Sequence, residues 1–193
     1  MWWVGLAQAG DVCASSCMHT SIDDAIGESD YDLQLSGKGG FTGFTFSGPG
    51  TLTIHGDPLL DQVVSGPIMI DGGGTVQLYD LTVTGALALG SLLQCDQGRV
   101  EATNVVFDGA GTASVVLLNP QCSGSWTGGA VRGLLEGVTA DGGFEATNVE
   151  WTDNVGRALT VSGGVATIEG GSFQRNGGGV RVAGTNVDLS VTC

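Results

Sequence analysis

Four carboxylates and an arginine lie close together late in the chain: Asp141, Glu145, Glu150, Asp153 and Arg157. Two carboxylates facing one glycosidic bond across a cleft are what inverting hydrolysis requires. A lyase acting on a uronate needs carboxylates to hold calcium and a basic residue to abstract the proton. If the chain is an enzyme, Asp153, Glu150 and Arg157 are the residues that would carry it. The competing reading is a solvated acidic face on which Asp153 pairs with Arg157, an exposed ion pair of little energetic weight. Asp23-Asp24 is directly adjacent but falls in a predicted helix.

Other side chains invite chemistry too. Trp126 sits in the glycine-rich "SGSWTGG", where an exposed indole could stack on a carbohydrate or could pack back on the body of the protein. Cys13, Cys17 and His19 could contribute to a zinc site, but the other histidine is the distant His55. Alternatively Cys13 and Cys17 close a small disulfide loop. Arg157 and Arg181 read as falling at comparable points of successive repeats, which would place them on one face.

The composition says what must position these groups. In 193 residues there are 35 glycines and only 4 prolines, 41% hydrophobic residues and 13% charged ones. That is too apolar for disorder and lacks the triplet period of collagen. Scarce charges leave few solvated side chains to coat helices, which fits many strands and tight turns. The net charge of −14, from 20 acidic against 6 basic residues, speaks against a nucleic-acid partner, which clustered cations would have to bind. Calcium is the cation such a surface could take, although no EF-hand loop or tandem G-G-x-G-x-D repeat is present. No other cofactor is expected, and no segment reads as a transmembrane helix.

The positioning elements show in a repeat. "EATNV" occurs at residues 101–105 and again at 145–149. Aligned on their last large residue, Val83, Phe107, Trp151 and Phe173 form a column with a unit of about 22 residues. Three positions earlier stand Asp80, Asn104, Asn148 and Gly170, the residue types that best tolerate positive φ. Alternating apolar residues flank this bend, as in Val76 and Leu78 before it and Leu81 and Val83 after it. Alternation marks strands with one buried face. A third short strand follows each anchor, as in "RALTVS" and "GVRVAG". Three strands per unit, joined by corners, predict an all-β right-handed parallel β-helix over residues 41–193. Asn104, Asn148, Asn154 and Asn176 are expected to form a hydrogen-bonded ladder. Residues 119–142 fit the repeat poorly and read as a protruding loop with a short strand, or else as a weak extra coil.

The ends read differently. "MWWVGLAQA", residues 1–9, resembles the tail of a secretory signal. Residues 10–40 form a cap in which Thr20 or Ser21 starts a short helix with Asp23 and Asp24 in its first turn. Cys95 and Cys122 end similar phrases on adjacent units and could form a disulfide, leaving Cys193 odd. That odd cysteine suggests intermolecular pairing or a chain cut short, and the terminal strand-like "NVDLSVTC" fits part of a longer chain.

The order "C…C…TSI..AI", "TLTIHG", "IDGGGTVQLYDLTVTGA", then F/W-x-x-N coils resembles the parallel β-helix proteins of the pectin-lyase-like superfamily. More narrowly, "WTDNVGRAL" and "FQRNGGGV" are similar to bacterial polymorphic outer-membrane-protein repeats, which carry F-x-x-N followed by G-G-A-[ILV]. Val83 and Phe107 depart from that motif, with Ala86 and Ala110 in place of the asparagine. The resemblance implies an exported, cell-surface or extracellular bacterial module. Polysaccharide-cleaving relatives would carry G-H-G and R-x-K pieces, which are missing here. The expectation is therefore a structural or adhesion module without catalysis, presenting a surface to a carbohydrate or protein. An acidic-polysaccharide lyase or hydrolase, or an inactive relative of one, is the alternative.

Overall fold

A computed structural model describes residues 10–13, 17–85, 90–110, 114–184 and 188–192. The expected signal remnant at 1–9 and the odd Cys193 lie outside the described residues. The chain winds as a parallel β-solenoid of about seven turns with one short helix near its start. Each turn lays down three short strands, and every pairing between turns is parallel.

The first face runs through Thr51–His55, Thr75–Tyr79, residues 99–103, residues 123–127, Phe144–Thr147 and Val165–Glu169. The second face is a separate seven-stranded sheet from Gly40–Thr42 to Ser172–Gln174. The third face includes Ile68–Ile70, Val138–Ala140, Arg157–Val161 and Gly178–Val182. Two long strands, Gly90–Thr103 and Ser114–Thr127, bend from the third face into the next turn's first face and join those two faces into one sheet.

The expected anchor column is present and gains a member: Val83, Phe107, Val131, Trp151 and Phe173 stack in register. Val131 belongs to the turn expected to be a loop. Residues 119–142 complete a full coil, pairing Trp126 with Ala102 on one side and Ala146 on the other. "EATNV" recurs two turns apart because Glu101 pairs with Ser125, and Ser125 with Glu145.

This middle coil was hard to read because its side chains are reshuffled. Trp126 is flanked in its column by two alanines, and Gly124 lies between Val100 and Phe144. A Cβ on Gly124 would stand 2.7 Å from Leu118 Cδ1 and 2.9 Å from the Phe144 ring. Large residues are thus offset by small ones on the neighbouring turns, which keeps the interior close-packed. The indole stacks on Phe107 at 4.7 Å and meets Phe144 edge-on at 5.0 Å. At 2% exposure Trp126 is core, so of its two readings packing back on the body of the protein holds and the sugar-stacking role is corrected.

The N-terminal cap forms as expected around helix α1, Ile22–Gly27. Ser21 is its N-cap, its Oγ accepting from the Asp24 N–H, with Asp23 and Asp24 in the first turn. Ile22 and Ala25 are buried, and Asp23 Oδ1 accepts the Thr45 N–H at 3.2 Å, tying the helix to the third face. Cys13 and Cys17 form a disulfide, and buried His19 sets Nε2 3.1 Å from Asp30 Oδ2, so the zinc alternative does not hold. Cys95 and Cys122 are bonded as expected, with Cα atoms 5.8 Å apart. They are not at equivalent places: Cys95 pairs in register with Leu118, and Cys122 with Gly98.

Candidate functional site

The late carboxylates do not converge. Glu145 points outward from the first face and Glu150 from the second, where it stands between Ala130 and Ser172. Asp153 occupies the following corner with φ 57°, stacked between Gly133 (φ 65°) and Arg175 (φ 52°). There it binds Arg175 through two hydrogen bonds, Nε to Oδ1 at 2.6 Å and Nη2 to Oδ2 at 2.8 Å. The Arg175 guanidinium holds the Asp153 carboxyl below the usual carboxylate range, and is itself pushed up by it. The expected Asp153–Arg157 pair is therefore corrected. In a solenoid the spatial neighbour lies a whole turn away, not four residues along. Arg157 begins a third-face strand, and its backbone N–H donates to Glu136. Arg181 pairs with Thr160 and Arg157 with Gly178, so the two arginines are out of step.

The corner column falls where the sequence places it. Asp80, Asn104 and Asn148 have φ of 53°, 54° and 55°, and Gly170 has 64°. Gly128 joins them at 65° from the extra coil. Successive corners repeat one bond, from the corner N–H to a carbonyl of the next turn: Asp80 to Thr103, Asn104 to Thr127, Asn148 to Glu169. The asparagines divide into two sets rather than one ladder. Asn104 Nδ2 donates to Asp80 Oδ1 at 3.1 Å, and Gly128 then separates it from Asn148. Asn154 and Asn176 line the second corner, with Asn154 Nδ2 donating to Asn176 Oδ1 at 2.8 Å. Each also donates to the carbonyl of the anchor one turn back, Asn154 to Val131 and Asn176 to Trp151. That is the physical content of the F/W-x-x-N motif: the amide closes the corner over the preceding coil.

One corner breaks the pattern. From the Asp80 turn onward two residues join first face to second: Asp80-Leu81, Asn104-Val105, Gly128-Gly129, Asn148-Val149, Gly170-Gly171. Between Thr51–His55 and Val63–Ser65 the chain instead inserts residues 56–62. Gln62, fully buried, fixes this excursion: its Oε1 accepts the Asp57 N–H at 2.7 Å, and its Nε2 donates to the Leu35 and Gly37 carbonyls at 2.8 and 3.0 Å. Asp57 Oδ1 caps the Leu59 N–H at 2.9 Å. The result is a shaped overhang whose tip, Leu59, is 87% exposed.

The overhang covers a groove of about 340 Å³ that runs down the corner column. Asp57, Pro58 and Asp61 form its upper wall, and Asp80, Thr82 and Asn104 are among the residues below. A second hollow of about 450 Å³ lies on the other side of the insertion, against Gln34 and Gly37. On the adjoining first face His55 and Tyr79 stack at 5.0 Å and 13°, each ring offering its face to the other. Sequence reasoning missed this corner, although "DPLLDQ" carries the signal: a proline and two aspartates around leucines in a linker longer than the repeat needs. Among the described residues no three His, Cys, Asp or Glu side chains converge as metal donors, so the groove's aspartates do not form a calcium cage. No helix among the described residues is long and apolar enough to cross a membrane.

The fold and these corners define a parallel β-solenoid with one elaborated corner. Compared with protein-family models, curated proteins and solved structures, the chain matches none of them.

Proposed function

We propose that this chain is an exported structural and adhesion module, displayed at a cell surface or secreted, that acts by binding rather than by catalysis. The observation that carries the reading is the elaborated corner: five successive turns make it with two residues each, and the turn before them inserts seven, residues 56–62, over a groove. Insertions in a solenoid repeat collect on the face that makes specific contacts. Two disulfides suit an oxidising compartment. The similarity of "WTDNVGRAL" and "FQRNGGGV" to polymorphic outer-membrane-protein repeats of the pectin-lyase-like group supports surface display. Asp153 is bound to Arg175 and stands apart from Glu150 and Arg157, so the residues on which the rival enzyme reading was placed do not come together.

The test incubates the protein with polygalacturonate, alginate and a neutral glucan, with and without calcium, and measures new reducing or unsaturated ends. No turnover is expected. Turnover that is abolished in Asp153→Asn or Arg157→Ala would replace this reading with that of a polysaccharide lyase or hydrolase.

A further inference from the structure

We infer that the groove under the 56–62 overhang is a docking site for an extended peptide segment of a partner protein, one that sets a cationic side chain beside an aliphatic one. The inference rests on the binding-module reading above and names its ligand. Four observations lead to it.

First, the overhang is preorganised. Gln62 donates twice, to the Leu35 and Gly37 carbonyls, and accepts the Asp57 N–H, which pins both ends of residues 57–62 to the preceding coil. A loop held this way has little conformational entropy left to lose on binding. Second, it presents Leu59 at 87% exposure, the most exposed large apolar side chain among the described residues, next to exposed Pro58. Such a side chain suits an apolar contact on a partner. Third, the groove beneath is half apolar, with Leu81 and Val106 in its lining, yet Asp57, Asp61 and Asp80 rim it. With a chain charge of −14 this potential repels acidic polymers and draws cations. Fourth, the groove follows the corner column, whose floor continues through Asn104 to Gly128. An extended chain can therefore lie along it, alternate side chains facing the floor.

A sugar fits less well. The groove has no aromatic residue in its lining to receive a pyranose, and His55 and Tyr79 on the adjoining face each spend one ring face on the other.

Fluorescein-labelled peptides test this by anisotropy: a Lys-Leu alternating heptapeptide, its Lys-Gly and Glu-Leu counterparts, and labelled chitotetraose, at about 50 mM and about 500 mM salt. The Lys-Leu peptide should bind best, and still measurably at the higher salt because part of its contact is apolar. Leu59→Ser should weaken it by about tenfold. Asp61→Asn and Asp80→Asn should each weaken it at low salt only. Asparagine tolerates positive φ and can still accept from Asn104, so Asp80→Asn leaves the corner intact, which thermal melting will verify. Equal binding of Lys-Leu and Lys-Gly, unchanged in Leu59→Ser, would mean diffuse attraction to an acidic protein and overturn the inference. Preference for chitotetraose, or no binding at all, overturns it equally. The polymer-turnover assay separates the two failures: a protein that neither binds the peptide nor cleaves polymer fails this inference but not the module reading.

Discussion

Glu101 shows how a single outward residue is placed by the winding rather than by its local sequence. Its neighbours in the first-face column are Gln77 and, a turn earlier, Thr53, and the three are linked by hydrogen bonds. Gln77 Nε2 donates to Glu101 Oε2 at 2.7 Å, and Arg99 Nε donates to Oε1 at 2.6 Å. The Gln77 bond, helped by Arg99 and opposed by partial burial, holds the Glu101 carboxyl below its ordinary range. A carboxylate whose folded-state pKa is depressed adds stability that is complete above its unfolded value, about 4.3 for glutamate, and disappears as pH falls through the folded value. Glu101→Gln should therefore melt below the native protein at pH 7, by an amount typical of a surface pair, up to about 1 kcal/mol. The difference should shrink as pH drops below about 4. Melting curves of the two proteins across that range check it, since the other carboxylates cancel in the comparison. A difference that grows on acidification would contradict the assignment.

At the scale of the coil, the decisive element is the turn carrying Trp126. As a loop tip, Trp126 could be removed at almost no cost. As the filling of a coil between Ala102 and Ala146, stacked on Phe107 and edge-on to Phe144, it cannot. Trp126→Ala should destabilise the protein by about 3–5 kcal/mol in urea unfolding, the range for emptying a large aromatic site. A change under about 1 kcal/mol would return residues 119–142 to the loop description. The contrast marks what was legible. The anchors Val83, Phe107, Trp151 and Phe173 and the bends Asp80, Asn104, Asn148 and Gly170 could be read because each turn meets the same backbone demand, with Asp, Asn or Gly at the positive-φ bend and an apolar residue three positions on. The Trp126 turn hid because its bulk is moved to the first-face column at Trp126, leaving Val131 as a small anchor between Phe107 and Trp151. The Asp153–Arg175 pair hid because contacts across coils join residues about one turn apart, and the register must be known first. The 56–62 corner hid because a repeat search discards whatever fails to repeat.

For the whole molecule, a solenoid's stability is close to a sum of nearest-neighbour terms, so it need not be uniform along the axis. The described turns differ in how well they are covered. Toward the start, α1 buries Ile22 and Ala25, and Asp23 accepts a strand N–H. Val64, Val83 and Val131 in the second-face column are fully buried, as is Trp151. One turn on, Phe173 is only partly buried even though it stacks on Trp151 at 4.5 Å, and Val182 is 48% exposed. Fewer apolar contacts mean a smaller opening free energy for that turn. Amide hydrogen exchange should accordingly grade along the axis. The Ser172–Gln174 and Gly178–Val182 strands should exchange well before their column partners at Val106–Asp108 and Ile68–Ile70. The Cys95–Cys122 bond lies among the slow turns, and reducing it should raise exchange around residues 93–95 and 116–118 while leaving the fast strands as they were. Uniform exchange from end to end would mean that the turns open together, and the additive description of the stack would fail. A graded profile would instead show that the turns around the 56–62 corner hold firm while the distant Ser172–Gln174 turn opens first.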